Sequence, residues 1–442
     1  MRKFIKCGTL FNGLDSKAHI DHTIVVEPDG SIGFVGPSRA APQAEASDET
    51  IDYSRWFVMP GMIDAHVHLS YGNTQSAEQI DIYAPVEFRA LRGLEGSQRM
   101  LAAGYTSIAD PATTGHVSMA IRDAIDTGLF TGPRISTAAR AISTAQGVDY
   151  FYPRWLKMPE HPVAFLMHNV AEGIAEIRQE IKDGVDFIKL ALDGDQLVVG
   201  TGLLSGMTYE EVNALVSEVH RLGVKVAVHA RGAEAIRYAA RTGVDYILHA
   251  SWMDEQGLEW AVKNGCALCP TLSLLVNTVE FTRPDDPAYG FVPAQQRELD
   301  AAIENLGRAK AAGVPFMVGS EAGFAVTPYG EWPARELEYY VKYLGFSPAE
   351  ALISTTSITA RIMRDGDRLG AIETGRLADL LAIDGDPLKD ITVLQDRGRI
   401  RAIRKSGELI SLALRESPSR TSYETGYRYW NQVYTQDRVT KR

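Results

Sequence analysis

Between residues 62 and 318, short apolar runs alternate with amphipathic stretches, and this rhythm narrows the fold more than any other feature of the chain. The runs fall at 62–67, 106–109, 134–137, 187–192, 224–228, 246–248, 267–269 and 315–318. Most are followed by a segment of helical period. In 209–222, Val212, Leu215, Val216 and Val219 recur at spacings of three and four and give one apolar face. Further helices are predicted over 294–312 and 332–344. Strands alternating with helices build a parallel sheet, and eight of them close most economically as a (β/α)8 TIM barrel. An open, doubly wound sheet is the rival arrangement, which periodicity alone does not separate.

The two ends have a different texture. Apolar pairs and runs around Phe4, Ile24 and Val35 are broken by Pro28-Asp29-Gly30, a hairpin signal. Similar short strands return at 378–383 and 400–403. The expected organisation is a small β-sandwich domain formed by residues 1–60 together with 365–415, around a barrel of 61–364. A tail, 416–442, carries Tyr423, Tyr427, Tyr429, Trp430 and Tyr434. So many aromatics are not left in water, so the tail is expected to pack on the barrel or on a neighbouring subunit, and a homo-oligomer is expected.

A net charge of −11 argues against a nucleic-acid partner, which favours a basic patch. No apolar stretch of signal-peptide length follows Met1, and no run approaches the roughly eighteen apolar residues of a membrane helix. Three cysteines are too few and too odd for a disulfide framework. A cytoplasmic protein acting on a small molecule, away from membranes, is the expectation. Cys266 and Cys269 form a lone CxxC inside the seventh run, where core packing outweighs a zinc site.

Four of the ten histidines sit where strands end. His66 and His68 close the first run two residues apart, and strand residues i and i+2 share a face. His229 ends the fifth run and His249 the sixth. Imidazoles converging at a barrel mouth are good ligands for zinc and similar divalent metals. His19, His22, His116, His161, His168 and His220 fall in predicted loops or helices and are read as non-ligands. Lys189 interrupts the apolar run 187–192, where burying an ammonium is costly. Desolvation favours the neutral amine, which can react with carbon dioxide to give an anionic carbamate. A lysine at the rim, or one paired with Asp193, is the other reading. Glu321 ends the eighth run, where a carboxylate can ligate a metal or act as a base, or simply form a rim salt bridge.

Taken together, Pro60-Gly61-Met62-Ile63-Asp64 before His66-Val67-His68, Lys189, His229 and His249 resemble the amidohydrolase superfamily, in particular its imidazolonepropionase-like and Xaa-Pro dipeptidase-like branch. Gly104-Tyr105-Thr106-Ser107-Ile108-Ala109-Asp110 and the 375–388 segment carry the same resemblance, which spans about residues 3–410. It implies that His66 and His68 hold the more buried metal and His229 and His249 the more exposed one. It further implies that carboxylated Lys189 bridges the two metals, and that the strand-eight acid binds the first and shuttles protons. The expected cofactor is two zinc ions, with manganese or cobalt as substitutes. The family usually carries Asp at strand eight, whereas this chain has Glu321, longer by one carbon–carbon bond of about 1.5 Å. That difference bears on whether one metal or two is held.

The implied reaction is hydrolysis of an amide-type C–N bond in an amide, dipeptide or carbamate, by water that a metal has acidified to hydroxide. A deaminase, a phosphotriesterase or an inactive scaffold are the alternatives, because a fold does not fix a reaction. Two long connections, 138–168 and 271–293, bear aromatic residues and are expected to wall the pocket, which favours a bulky apolar or aromatic substrate group. Within the first, Tyr152 and Trp155 are candidate walls, and Arg140 and Arg154 are candidate anchors for a carboxylate.

Overall fold

The computed structural model describes residues 1–149, 152–153, 155–195, 203–414 and 429–440. The chain opens with β1 (Lys3–Phe11), β2 (Ala18–Val26), β3 (Ile32–Pro37) and β4 (Glu49–Pro60). Gly30 makes the β2–β3 turn possible. Its φ of +84° is open to glycine at little steric cost, and its amide closes the turn on the Glu27 carbonyl. Strand β4 lies parallel to β1 and runs through Gly61 into the barrel. A Cβ on Gly61 would stand 2.1 Å from the Thr106 hydroxyl oxygen, so only glycine lets the chain pass there.

Nine short strands follow, which with the segment 315–318 build the eight parallel stations of the barrel; β7 and β8 share the third station, and β9 pairs beside β8. They begin with β5 (Met62–Asp64), β6 (Tyr105–Asp110), β7 (Arg134–Thr137), β8 (Ala141–Ser143) and β9 (Ala164–Leu166). They continue with β10 (Phe187–Ala191), β11 (Lys225–Ala230), β12 (Tyr246–His249) and β13 (Ala267–Cys269). The chain then returns to the first sheet through β14 (Leu380–Ile383), β15 (Ile400–Lys405) and β16 (Glu408–Leu409). That sheet has the order β16-β15-β14-β4-β1-β2-β3, so both chain ends build it, as the sequence predicts for a β-sandwich domain. Ile5, Ile24, Ile32, Val58, Leu380 and Ala402 meet in its core.

Two stations differ from the prediction. The third is split: β7 pairs with β6, β8 pairs with β10, and Ala139 takes φ +55° between them. The eighth, at 315–318, is held by a single bridge from Phe316 to Leu268 and by the Ala65 amide donating to the Val318 carbonyl at 2.7 Å. These bonds join β13 to β5 and close the barrel. Ile63, Ala109, Phe187, Ala227, Leu248, Cys269 and Met317 fill its interior.

The amphipathic segment 209–222 becomes the helix Tyr209–Arg221, opened by a capping box between Thr208 and Glu211. The predicted loop 271–293 is mostly helical, with Leu272–Phe281 followed by the turn Pro287–Phe291. His19 and His22 lie on β2, not in a loop, and remain in the terminal sheet away from the barrel mouth. Cys266 and Cys269 are both buried. Among the described residues no helix is long and apolar enough to cross a membrane.

One ion pair ties the terminal sheet to the barrel. Arg134 on β7 donates to both carboxylate oxygens of Asp379, at 3.0 and 3.2 Å, and to the Ser406 hydroxyl at 2.6 Å. Asp379 also accepts from the Ser406 amide at 2.7 Å. Because Asp379 is buried, its removal leaves a largely desolvated guanidinium without its partner. Asp379→Ala is expected to cost about 3 kcal/mol of stability. A thermal midpoint in calorimetry equal to that of the unchanged protein would contradict this.

Candidate metal centre and active site

The ends of the barrel strands bring four histidines and one glutamate to one place. The chain that continues past β5 sends His66 and His68 to the same side, and the His66 Nε2 and His68 Nε2 atoms are 3.1 Å apart. His249 lies beside His66 with ring centroids 5.4 Å apart, and His229 lies beside His249 at 4.6 Å. Glu321 reaches in from the eighth station. Its carboxylate is 3.3 Å from His66 Nδ1, 3.4 Å from His68 Nε2 and 3.8 Å from His249 Nδ1. Its φ is +58°, an uncommon conformation for glutamate, and the backbone turn carries the long side chain back over the histidines. His249, Ala250 and Thr271 are also left-handed, so four strained residues ring this site.

Burial drives most of the proton equilibria here. It holds the His66, His229 and His249 rings well below the usual histidine range, as neutral imidazoles. Burial also lowers the Lys189 ammonium, with Asp149 and Glu321 opposing. For Glu321 burial alone would raise the carboxyl, but His66 and His68 outweigh it and keep the group ionised. His68 is raised, because the facing Glu321 carboxylate exceeds the effect of burial.

Three of the four imidazoles are oriented from outside the cluster. His68 Nδ1 donates to the Ala112 carbonyl at 2.9 Å. Thr271 gives its hydroxyl proton to the Pro270 carbonyl, so its oxygen accepts from His249 Nδ1 at 2.5 Å. His229 Nε2 contacts the Gly194 carbonyl at 3.2 Å and Asp193 at 3.3 Å. Asp193 itself is bonded to the Arg231 and Gly232 amides and does not pair with Lys189.

These residues fit a metal ion. His66 Nδ1, His249 Nε2 and a Glu321 oxygen are buried without a hydrogen-bond partner, a costly condition that a cation relieves. One donor atom from each of His66, His249 and Glu321 falls within 4.8 Å of the other two. His68 adjoins this trio through His66 and Glu321. Lys189 and His229 face the same cavity but stand outside the trio.

A profile of the Amidohydrolase family matches residues 57–410. The chain belongs to the amidohydrolase family. It is 25% identical over 408 residues to ochratoxinase of Aspergillus niger, covering 87% of this chain and 82% of that one. It is 23% identical over 401 residues to imidazolonepropionase of Xanthomonas campestris pv. campestris, covering 87% and 92%. A solved Xaa-Pro dipeptidase with methionine bound in its active site superposes with a TM-score of 0.83 at 30% identity, covering 93% and 100%. This amidohydrolase is therefore a metal-dependent hydrolase of C–N bonds with the (β/α)8 barrel of its family.

Above the cluster this amidohydrolase has a cavity of about 60 Å³. Its walls are Tyr71, Ile80, Leu274, Phe324, Tyr429 and Trp430, with Asp149, Asp195 and Arg231 among the polar groups. The wall residues read from the sequence lie elsewhere. Arg140 is turned to Glu176 and Glu180 and stacks on Phe165, because those buried carboxylates need a cation. Trp155 is 84% exposed and does not reach the cavity. Tyr152 is half-buried and is not part of the lining, and Arg154 lies outside the described residues. Phe281 packs against Trp332 and Tyr434 beneath the loop that carries it. Sequence reasoning missed Tyr71 and Phe324. Tyr71 stacks flat on His68 with ring centroids 4.3 Å apart, three residues along the chain. That spacing is the one signal in the sequence that pointed to it.

The Thr271 contact is testable without a substrate. Thr271→Val removes the acceptor for His249 Nδ1 while keeping the shape, and is expected to weaken metal affinity by about 10–100-fold. Thr271→Ser is expected to restore it. Competition against a chromogenic chelator measures both, and equal affinities for Val and Ser would refute the orienting role.

Proposed function

We propose that the chain cleaves an amide, dipeptide or carbamate whose scissile C–N bond adjoins a bulky apolar or aromatic group. The observation that carries this reading is the juxtaposition of unpartnered donor atoms on His66, His249 and Glu321 with aromatic walls directly above them. The similar Xaa-Pro dipeptidase is described with methionine, an amino acid with an apolar side chain, in its active site. His66, His68, Lys189, His229, His249 and Glu321 would hold two divalent ions, zinc by the preference of imidazole donors. When bound, the ions acidify water and polarise the carbonyl.

The chain's own residues do the rest. Lys189 is fully buried with no carboxylate in ion-pair range among the described residues, and burial favours its neutral amine. That amine would add to carbon dioxide, forming one N–C bond as one C=O π bond opens and one proton leaves, and the carbamate, with one negative charge shared by two oxygens, would serve beside the histidines as a metal ligand. Glu321 accepts the proton of the attacking water and delivers it to the leaving nitrogen. The Ala112 carbonyl and Thr271 keep the imidazole lone pairs aimed at the cluster. The walls hold the substrate and exclude bulk water, which strengthens every electrostatic contact at the carbonyl.

Elemental analysis of the purified protein, beside hydrolysis of a panel of Xaa-Pro dipeptides and N-aroyl amino acids, tests the reading. About two divalent ions per chain are expected, falling in Lys189→Ala. Glu321→Gln is expected to lower kcat by about 10²–10⁴ on any amide that is cleaved. Chelation should abolish that hydrolysis, and re-addition of zinc should restore it. A protein that binds no metal even after supplementation would refute the proposal and leave an inactive scaffold.

A further inference from the structure

Residues 429–440 lie across the mouth of the cavity, and their contacts reach three separate catalytic loops. The Tyr429 amide donates to the Gln75 carbonyl at 2.6 Å, and the Gln75 side chain donates to the Trp430 carbonyl at 2.6 Å. Gln75 belongs to the loop that follows His66 and His68. From the loop after the seventh station, Ala288 donates its amide to the Tyr429 carbonyl at 2.8 Å, and Thr282 accepts from the Trp430 ring at 3.0 Å. Asp286 of that same loop accepts from the Asn431 amide at 2.7 Å and from the Tyr434 hydroxyl. From the loop after Glu321, Ala325 accepts from the Tyr434 amide at 3.0 Å, and Trp332 donates its ring N–H to the Tyr434 carbonyl at 2.7 Å. The same Ala325 donates to the Thr74 carbonyl at 2.8 Å, which closes the circuit back to the first loop.

A strap of this kind can serve stability alone. The placement of its first two side chains argues for more. Tyr429 and Trp430 line the cavity beside Tyr71, Leu274 and Phe324, and Trp430 is only 1% exposed. With Phe324 perpendicular to Tyr71 at 5.2 Å, they complete an aromatic enclosure over the histidines. The barrel loops on their own supply only part of that enclosure.

We propose that residues 429–440 are a clasp that completes the substrate pocket, with Trp430 and Tyr429 forming the wall that selects a planar aromatic or bulky aliphatic group beside the scissile bond. This rests on the reading of the cavity as the substrate site of an amide hydrolase. Specificity is then carried by the end of the chain, and the anchor at Asp286 and Tyr434 fixes the wall. The two roles are separable: Trp430 touches the substrate, and Asp286 positions Trp430.

The test uses a matched pair of ketones in which CH2 replaces the amide nitrogen, so that neither is cleaved; one carries a naphthyl group and the other a methyl group. Calorimetry on the metal-loaded full chain is expected to show at least about tenfold tighter binding of the naphthyl probe. Trp430→Ala should lose that preference, and Trp430→Phe, which keeps a ring, should retain most of it. Asp286→Asn should weaken naphthyl binding, with faster hydrogen exchange at the Tyr429, Asn431 and Tyr434 amides. Metal content is measured on every variant as the control for folding. A naphthyl preference that survives in Trp430→Ala, or none in the unchanged protein, overturns the clasp. Because the probes need no turnover, the clasp can fail while amide hydrolysis stands. Absence of metal and of any amide cleavage would instead refute the hydrolase reading itself.

Discussion

Asp64 accepts hydrogen bonds from the His66 amide at 2.9 Å, the Ser320 amide at 3.1 Å and the Ser320 hydroxyl at 2.5 Å, across the seam where the first barrel strand meets the eighth station. Burying this carboxyl is costly. It is pushed up to about 7 by desolvation, against which the Ser320 and His66 bonds work. Backbone bonds from the Ala65 amide to the Val318 carbonyl at 2.7 Å and from the His68 amide to the Ala322 carbonyl at 2.8 Å cross the same seam. The Asp64 side chain adds to them where the eighth station lacks a full ladder. The consequence for chemistry is direct: His66 and Ser320 share one acceptor, so Glu321, the next residue, arrives 3.3 Å from His66.

The same device recurs around the mouth. Asp110 gathers the Leu69 and Ala112 amides, at 3.0 and 3.1 Å, and the Ala112 carbonyl then orients His68. Asp193 gathers the Arg231 and Gly232 amides beside His229. Glu336 takes the Leu272 and Ser273 amides at 2.8 and 2.7 Å, which fixes the start of that helix and with it Thr271, the partner of His249. Each buried carboxylate replaces water as acceptor for the amides at a loop entry. The histidines of the cluster are therefore set by acids that stand outside it. The left-handed residues His249, Ala250, Thr271 and Glu321 fall at these entries, where the surrounding bonds over-determine the backbone.

How far the sequence reveals this depends on the range of the interaction. His66 and His68 are legible because the two-residue strand period puts them on one face, and the strand-end positions of His229, His249 and Glu321 follow from the same rhythm. The split third strand is not legible, since Ala139 carries no signal for a positive φ. Arg140 looks like a pocket anchor in sequence because its partners Glu176 and Glu180 arrive from a helix more than thirty residues later. Trp155 looks like a wall only because an aromatic in a long loop usually finds cover, and here it does not. The tail is half legible. Its aromatic content requires a packed surface, but only the fold brings Trp430 back over a cavity whose first ligand lies more than 360 residues earlier.

The electrostatic design is consistent with that geometry. Neutral imidazoles at His66, His229 and His249 present lone pairs and no competing charge, while Glu321 stays ionised at their centre. His68 is the exception: the facing Glu321 carboxylate raises it against the effect of burial. Arg231, buried behind His229, is paired with Glu298 at 2.6 Å and Asp195 at 3.2 Å, and its positive charge helps to keep His229 and His249 neutral. Enclosing these groups under Tyr71, Phe324 and Trp430 lowers the local dielectric and strengthens each of their interactions with a reacting carbonyl. The aromatic wall and the histidine cluster are thus parts of one device: the wall removes the water that would screen the charges beneath it.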